Sequence, residues 1–358
     1  MTKEAVIEIL GKLQVLKKKT GIEIVDTHVH PGDVMGVVHY SEKESESNHL
    51  LKDYLESGIL EKFNYNKFEK FGSRIVFKIF PGFVNKTIQQ TYGTYNNTDL
   101  SNEMTISLVD KSVLLPIEPW LPTKIVGDIY KDKKNFIILG SIDVHGIERG
   151  DIEKIIISYI QDYKIVGLKF HPNLQDFKPQ PKDNLPEIAD KLRVIYNVAQ
   201  KYKLYLIFHG GISNFTEHLN LKYHDVSSRS HTNALLKNFC SADGQSELFE
   251  NWNMPIIIAH LGHYGMIDVD YGLLELVTKR FNNVCFDTSG ISSNVITKAL
   301  QVVPSERIVF GSDAAYNRMA YNLAFLYNAI VAKNNNEVKT EILVNIFSRN
   351  FYNRILRY

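Results

Sequence analysis

The chain has 358 residues, 44% of them hydrophobic, enough to build a sizeable core in one large α/β domain or two modest ones. Lys and Arg (41) nearly balance Asp and Glu (40), and no block of like charge stands out beyond Lys17-Lys18-Lys19, so nothing asks for a nucleic acid or a membrane as partner. The two cysteines, Cys240 and Cys285, lie far apart in no metal-binding spacing, which fits a reduced cytoplasmic chain, and no apolar run approaches the ~18 residues of a membrane span.

The N-terminal "MTKEAVIEILGKLQVLKKK" repeats Val6, Ile9, Leu10, Leu13 and Leu16 at helical spacing, with Glu4 and Glu8 between them. It reads as an amphipathic helix packed on the body of the protein, not as a secretory signal. Strand-like runs follow at Ile22–His28, Ser112–Pro116, Phe136–Val144, Ile165–His171, Leu204–His209, Pro255–His260, Val284–Thr288 and Ile308–Asp313. Helical patterns follow several of them, at Asp151–Tyr163, Leu185–Lys201, Tyr271–Phe281, Ser293–Val302 and Met319–Ala332. Runs such as "PIIIA" and "LYLIF" are apolar without alternation, as expected of strands covered on both faces. Eight such units, with no G-x-G-x-x-G and no P-loop, predict a single (β/α)₈ barrel over residues 1–358.

Two segments break the alternation. Residues 31–105 form a long insertion after the first strand, with a helical pattern at His49–Phe63 and the aromatic stretches "FGSRIVFKIFPGF" and "TYGTYNNT". Residues 210–232 form a long polar excursion after the fifth strand. Loops of this length are lids or binding loops, or else small packing units and oligomer contacts.

Polar residues gather where the strands end. Asp26, His28 and His30 follow the first strand, Lys169 and His171 lie on the fourth, His209 ends the fifth and His260 the sixth, and Asp313 ends the eighth. In a barrel this is the face on which catalytic groups converge. Side chains at i and i+2 of a strand share a side, so His28 and His30 can ligate one ion together. With His209 and Asp313 they supply three nitrogens and one oxygen, a set suited to a divalent metal: Zn²⁺ first, with Mn²⁺, Fe²⁺ or Co²⁺ as alternatives. His260 is then an acid/base group or a ligand to a second ion.

The elements "VDTHVH", "GLKFHP", "LIFHGG", "IIIAHLG" and "GSD", in this order across residues 25–313, resemble the amidohydrolase superfamily, in particular its amidohydrolase-related branch of hydrolases and decarboxylases. The resemblance implies a distorted barrel and a single metal held by His28, His30, His209 and Asp313, with Asp313 shuttling the proton of the reaction and His260 beside it. It also implies that Lys169, if carboxylated as in binuclear relatives, would bridge two ions, with His260 on the second. Otherwise Lys169 and His171 contact the substrate. The expected activity is hydrolysis of a small ester, lactone or amide; decarboxylation is the alternative, and a non-catalytic metal-binding barrel the lesser one. The expected partner is a small molecule, with a homodimer as a further option.

Simpler roles compete for several of these residues. Asp313 could cap the helix that follows it. Asp26 could set the tautomers of the histidines or merely end its strand. Glu118, His145, His224, Arg229, His231 and His263 read as loop or rim residues rather than pocket groups.

Overall fold

The structure is a computed structural model that describes residues 1–34, 53–56, 95–213, 230–266, 268–334 and 338–357. The strands are β1 (Val25–Val29), β2 (Lys111–Leu114), β3 (Phe136–Ile138), β4 (Gly140–Ser141), β5 (Gly167–Phe170), β6 (Tyr205–Phe208), β7 (Ile256–Ile258), β8 (Val284–Asp287) and β9 (Ile308–Val309). β1, β2 and β3 pair in parallel, and β4 to β9 pair in parallel in chain order. Only Leu139 separates β3 from β4, and it still donates to Leu114 O at 3.1 Å, so the two are one interrupted strand. The last strand returns to the first: Thr27 N donates to Phe310 O at 2.9 Å, Asp313 N to His28 O at 2.8 Å, and Val29 bridges Ala314 in parallel. Eight parallel strands thereby close into the predicted barrel.

The alternation of side chains divides the molecule into two apolar regions. One side of each strand packs outward under the helices: Leu168, Leu206, Ile258 and Phe286 join Ile156, Leu192, Leu274 and Ile296 in the main core. The other side fills the barrel with Val25, Val113, Leu115, Leu139, Ile207, Ile257, Cys285 and Val309. Two residues beyond Ile207 comes His209, two beyond Cys285 comes Asp287, and four beyond Val309 comes Asp313. A period of two therefore carries each strand from an apolar floor to a polar rim on the same inner side.

The helices that form the outer layer are α1 (Lys3–Thr20), α2 (Asn97–Ile106), α3 (Thr123–Tyr130), α4 (Ile152–Tyr163), α5 (Pro186–Lys201), α6 (Glu247–Asn251), α7 (Tyr271–Arg280), α8 (Ser293–Val302) and α9 (Met319–Lys333). α1 buries Val6, Ile9, Leu10 and Leu13, the stripe its periodicity predicts, while Gly21 ends it in the left-handed region at φ 65°. After α10 (Thr340–Val344) the chain continues in wide helical turns, Asn345–Arg349 and Phe351–Leu356. Phe351 and Ile355 from these turns plug the start of the barrel. No helix among the described residues is long and apolar enough to cross a membrane.

α2, α3, α6 and the C-terminal turns are not among the helical patterns expected from the sequence. Most of the expected helix at residues 49–63, the aromatic stretch at 71–83 and most of the 31–105 and 210–232 segments lie outside the described residues, and with them the lid reading; residues 53–56, within the expected helix, form a turn.

Candidate metal centre

His28, His30 and His260 at the rim are each set by a partner on Nδ1. His28 Nδ1–H donates to Asp287 Oδ2 at 2.8 Å, and His30 Nδ1–H to Leu115 O at 2.8 Å. His260 Nδ1–H donates to Ser289 O at 2.8 Å, with Ser289 Oγ at 2.9 Å. A neutral imidazole with its proton on Nδ1 keeps a lone pair on Nε2. These lone pairs meet: His28 Nε2 lies 3.3 Å from His30 Nε2, and Asp313 Oδ1 lies 3.5 Å from both. The ligand atoms of His28, His260 and Asp313 all lie within 4.8 Å of one another. His209 joins from β6, its ring 4.8 Å from that of His260, and its Nε2 is buried without a hydrogen-bond partner.

Two lone pairs 3.3 Å apart cannot bond to each other, and a buried acceptor without a partner costs about 1–3 kcal/mol. A cation among them removes both penalties. The donor set of neutral imidazoles and one carboxylate is that of a divalent transition metal, so the residues fit such an ion.

Electrostatics keep these ligand atoms available. Burial, reinforced by the Lys169 charge, holds the imidazoles of His28 and His30 well below their ordinary range. Burial does the same for His209, reinforced by His171, and brings His260 down to about 4. All four rings are therefore neutral at pH 7. Burial lowers Lys169 to about 8, against the pull of Asp287 and Asp313, and its Nζ lies 3.4 Å from His28 Nε2. Burial raises the Asp313 carboxyl well above its usual range, although Lys169 acts the other way.

His171 differs from the other rim histidines. Its ring stacks on His209 at 4.0 Å and 9°, but its Nδ1 accepts the Leu174 N–H at 3.2 Å. The proton of the neutral ring is then on Nε2, which makes His171 a hydrogen-bond donor rather than a ligand. His30, His171, His209, His260 and Asp313 line a cavity of about 40 Å³ whose walls include Tyr264 and Tyr316. Tyr316 lies against His30, with ring centres 5.8 Å apart, and Tyr264 against His260 at 4.6 Å.

The backbone is strained where it presents these groups. His260 and Asp313 have φ values of 57° and 64°, in the left-handed region that non-glycine residues avoid. The bond from His260 N to Asp287 Oδ1 at 2.8 Å and that from Asp313 N to His28 O hold them there. Gly211, at φ 119°, lets the chain after His209 pass the 264 segment so closely that a Cβ would stand 2.3 Å from Tyr264 N.

Asp26 lies buried in β1. Its Oδ1 accepts the N–H groups of His28 (3.1 Å) and Ser312 (3.0 Å), tying β1 to the segment that carries Asp313. The Nδ1 atoms of His28, His30 and His260 meet Asp287, Leu115 O and Ser289, which are not among the site residues expected from the sequence. Asp287 was the legible one of these, since "VCFD" ends an apolar strand with an acid just as "IVFGSD" does.

Glu118 bonds Thr123 N and Tyr159, and His145 bonds Asp176 O, both away from the cavity. His263 is buried rather than on the rim, with Nδ1 on Leu261 O and Nε2 accepting Asp270 N. His231 lies in the short turn Ser230–Thr232 and does not line the cavity, while His224 and Arg229 fall outside the described residues.

Comparison with known proteins follows the same lines. The structure is similar to that of a 2,6-dihydroxybenzoate decarboxylase from Rhizobium, with 11% identity, 94% of this chain and 99% of that one covered, and a TM-score of 0.55. A 5-carboxyvanillate decarboxylase from Novosphingobium aromaticivorans, complexed with manganese and 4-hydroxy-3-methoxy-5-nitrobenzoic acid, matches with 13% identity, coverage of 94% and 97%, and a TM-score of 0.57. The 5-carboxyvanillate decarboxylase of Sphingomonas paucimobilis matches with 14% identity, coverage of 94% and 99%, and a TM-score of 0.55. At these identities the likeness shows a shared fold. No curated protein matches the sequence. The sequence model of one family, described as amidohydrolase, matches residues 135–350. That match spans more than half of the chain, from the third strand of the barrel to its C-terminal plug, and the chain belongs to the amidohydrolase family.

Proposed function

We propose that this amidohydrolase-family enzyme is metal-dependent and removes the carboxyl group of a small, flat carboxylate substrate. The observation that carries the reading is the convergence of Nε2 lone pairs from His28, His30 and His260 on Asp313, in a pocket walled by Tyr264 and Tyr316. His28, His30, His209 and Asp313 would hold one divalent ion, zinc or manganese foremost, with His260 beside them. When bound, such an ion supplies positive charge against a substrate oxygen. The similar solved structures of decarboxylases, one of them complexed with manganese and a nitrobenzoic acid, support this choice of reaction.

The chain's own groups supply the rest. His171 donates its Nε2–H to an oxygen of the substrate, and the Lys169 ammonium adds a positive charge behind it. Tyr264 and Tyr316 flank the cavity, whose volume of about 40 Å³ admits the carboxylate end of a substrate. Asp313 carries the proton: as the bond to the carboxyl carbon breaks and CO₂ leaves, it protonates the carbon left behind and is recharged from solvent.

Hydrolysis of an ester, lactone or amide is the second reading. It is favoured by the same carboxylate, which in that reaction would accept the proton of an attacking water. The test is a panel of aromatic and enol carboxylates, esters, lactones and amides with metal-replete protein in D₂O and in H₂¹⁸O. Release of CO₂ with deuterium on the product carbon supports decarboxylation. Uptake of ¹⁸O into an acid product without CO₂ release replaces it with hydrolysis. Turnover unaffected by metal removal rejects both.

A further inference from the structure

The end of the barrel opposite the histidines carries a second cleft, of about 810 Å³, beside the C-terminal plug. Its walls come from residues 253–255, 282–283 and 306, which precede β7, β8 and β9, and from one face of the 345–357 turns. It therefore opens at the strand starts, separated from the rim by the four residues of β8, a rise on the order of 13 Å. In barrels of this kind that face serves stability, so a polar cleft of this size there needs an explanation.

Four arginines line it, Arg280, Arg349, Arg354 and Arg357, against one acid, Glu306. Arg280 is held by Glu250 at 3.0 Å. The other three make no ion pair with a carboxylate among the described residues, and the Nε of Arg354 is buried without a hydrogen-bond partner. Phe351 and Ile355, buried in the barrel, anchor the turns that carry them, so the three guanidiniums are presented from a fixed support. Arg349 and Arg357 are exposed and Arg354 is half-buried, with Glu306 the one carboxylate beside them, so the cleft carries an excess of positive charge that attracts an anion. A guanidinium presents its N–H groups as a planar fork that matches two oxygens of a phosphate. The volume lies within the range of small-molecule sites.

We propose that this cleft binds a small molecule bearing a pyrophosphate group, at a site separate from the histidine pocket. Arg349, Arg354 and Arg357 take the phosphate oxygens, and the space toward Asn282 and Asn283 receives the remainder of the molecule.

The test is calorimetric titration of the full chain with inorganic pyrophosphate at about 150 mM salt, where exposed charges are screened beyond ~8 Å. One saturable site is expected, with Arg349→Gln and Arg354→Gln each weakening it about tenfold or more, and Arg354→Lys weakening it less. Asp313→Asn, which alters the histidine pocket, leaves the binding unchanged, and melting curves show that each variant is folded. The proposal is overturned by absence of saturable binding, by equal affinity in the folded arginine variants, or by loss of binding in Asp313→Asn alone. Arginine-dependent binding of a single-stranded RNA far tighter than that of pyrophosphate also overturns it, since the cleft would then be part of a polymer-binding surface.

Discussion

The imidazole of His28 keeps its Nε2 lone pair only while Asp287 Oδ2 accepts its Nδ1–H. The other oxygen, Oδ1, already takes His260 N at 2.8 Å and Ser289 N at 3.0 Å, so one carboxylate orients two rim histidines. In Asp287→Asn the amide nitrogen would face His28 Nδ1 as a donor and drive the ring proton to Nε2, into the place of a metal. The expected loss is about 10- to 100-fold in metal affinity, with a matching fall in turnover, at an unchanged fold. Metal titration of the folded variant checks it, and undiminished affinity would show that Asp287 does not set the tautomer. At this scale the sequence was legible wherever an apolar strand ran into a histidine or acid. The tautomers were not legible, because the partners that fix them, Leu115 O and Ser289 O among them, come from other strands and from backbone.

Among the elements, strands read well because both their faces are buried, and the resulting apolar runs end at sharp polar rims. The C-terminal turns read poorly because Phe351 and Ile355 find their partners inside the barrel, a contact that no local pattern announces. α2 is a similar case, packed through Leu100 and Met104 and tied by a buried acid between them. Glu103 accepts Tyr95 O–H at 2.9 Å and the Met319 N–H at the first turn of α9 at 3.0 Å, with Arg318 at 3.7 Å. Burial raises its pKa above 4.5, although Arg318 and these two donors pull it back. A raised folded pKa means that the folded state holds the proton more tightly than the unfolded one. The stability this group contributes is therefore full below 4.5 and is lost as pH rises through the folded value. Glu103→Gln cannot lose a proton, so its melting temperature relative to the parent should improve as pH rises from about 4 to 7. Parallel melts across that range test it; a difference that is flat, or that moves the other way, would mean that the Arg318 charge outweighs burial.

The whole molecule has two polar ends on an apolar barrel, and the histidine end leaves its donors unsatisfied without a cation. His209 Nε2 is buried without a partner, and the His28 and His30 lone pairs stand 3.3 Å apart. An ion that binds only the folded chain stabilises it by about 4 kcal/mol when free metal is a thousand times its dissociation constant. Chelation should therefore lower the melting temperature by several degrees, and Mn²⁺ or Zn²⁺ should restore it. The state of Lys169 distinguishes one ion from two. Without an added carboxyl its ammonium lies 3.4 Å from His28 Nε2 and brings positive charge beside the ligand atoms, which opposes a second ion. One ion per chain is expected from metal analysis of the reconstituted protein, with no mass added at Lys169. Two ions per chain, together with a lysine carrying an extra carboxyl in the intact mass, would replace this centre with a bridged pair and move His260 to the second ion. An unchanged melting temperature after complete chelation would remove the metal from the stability of the fold altogether.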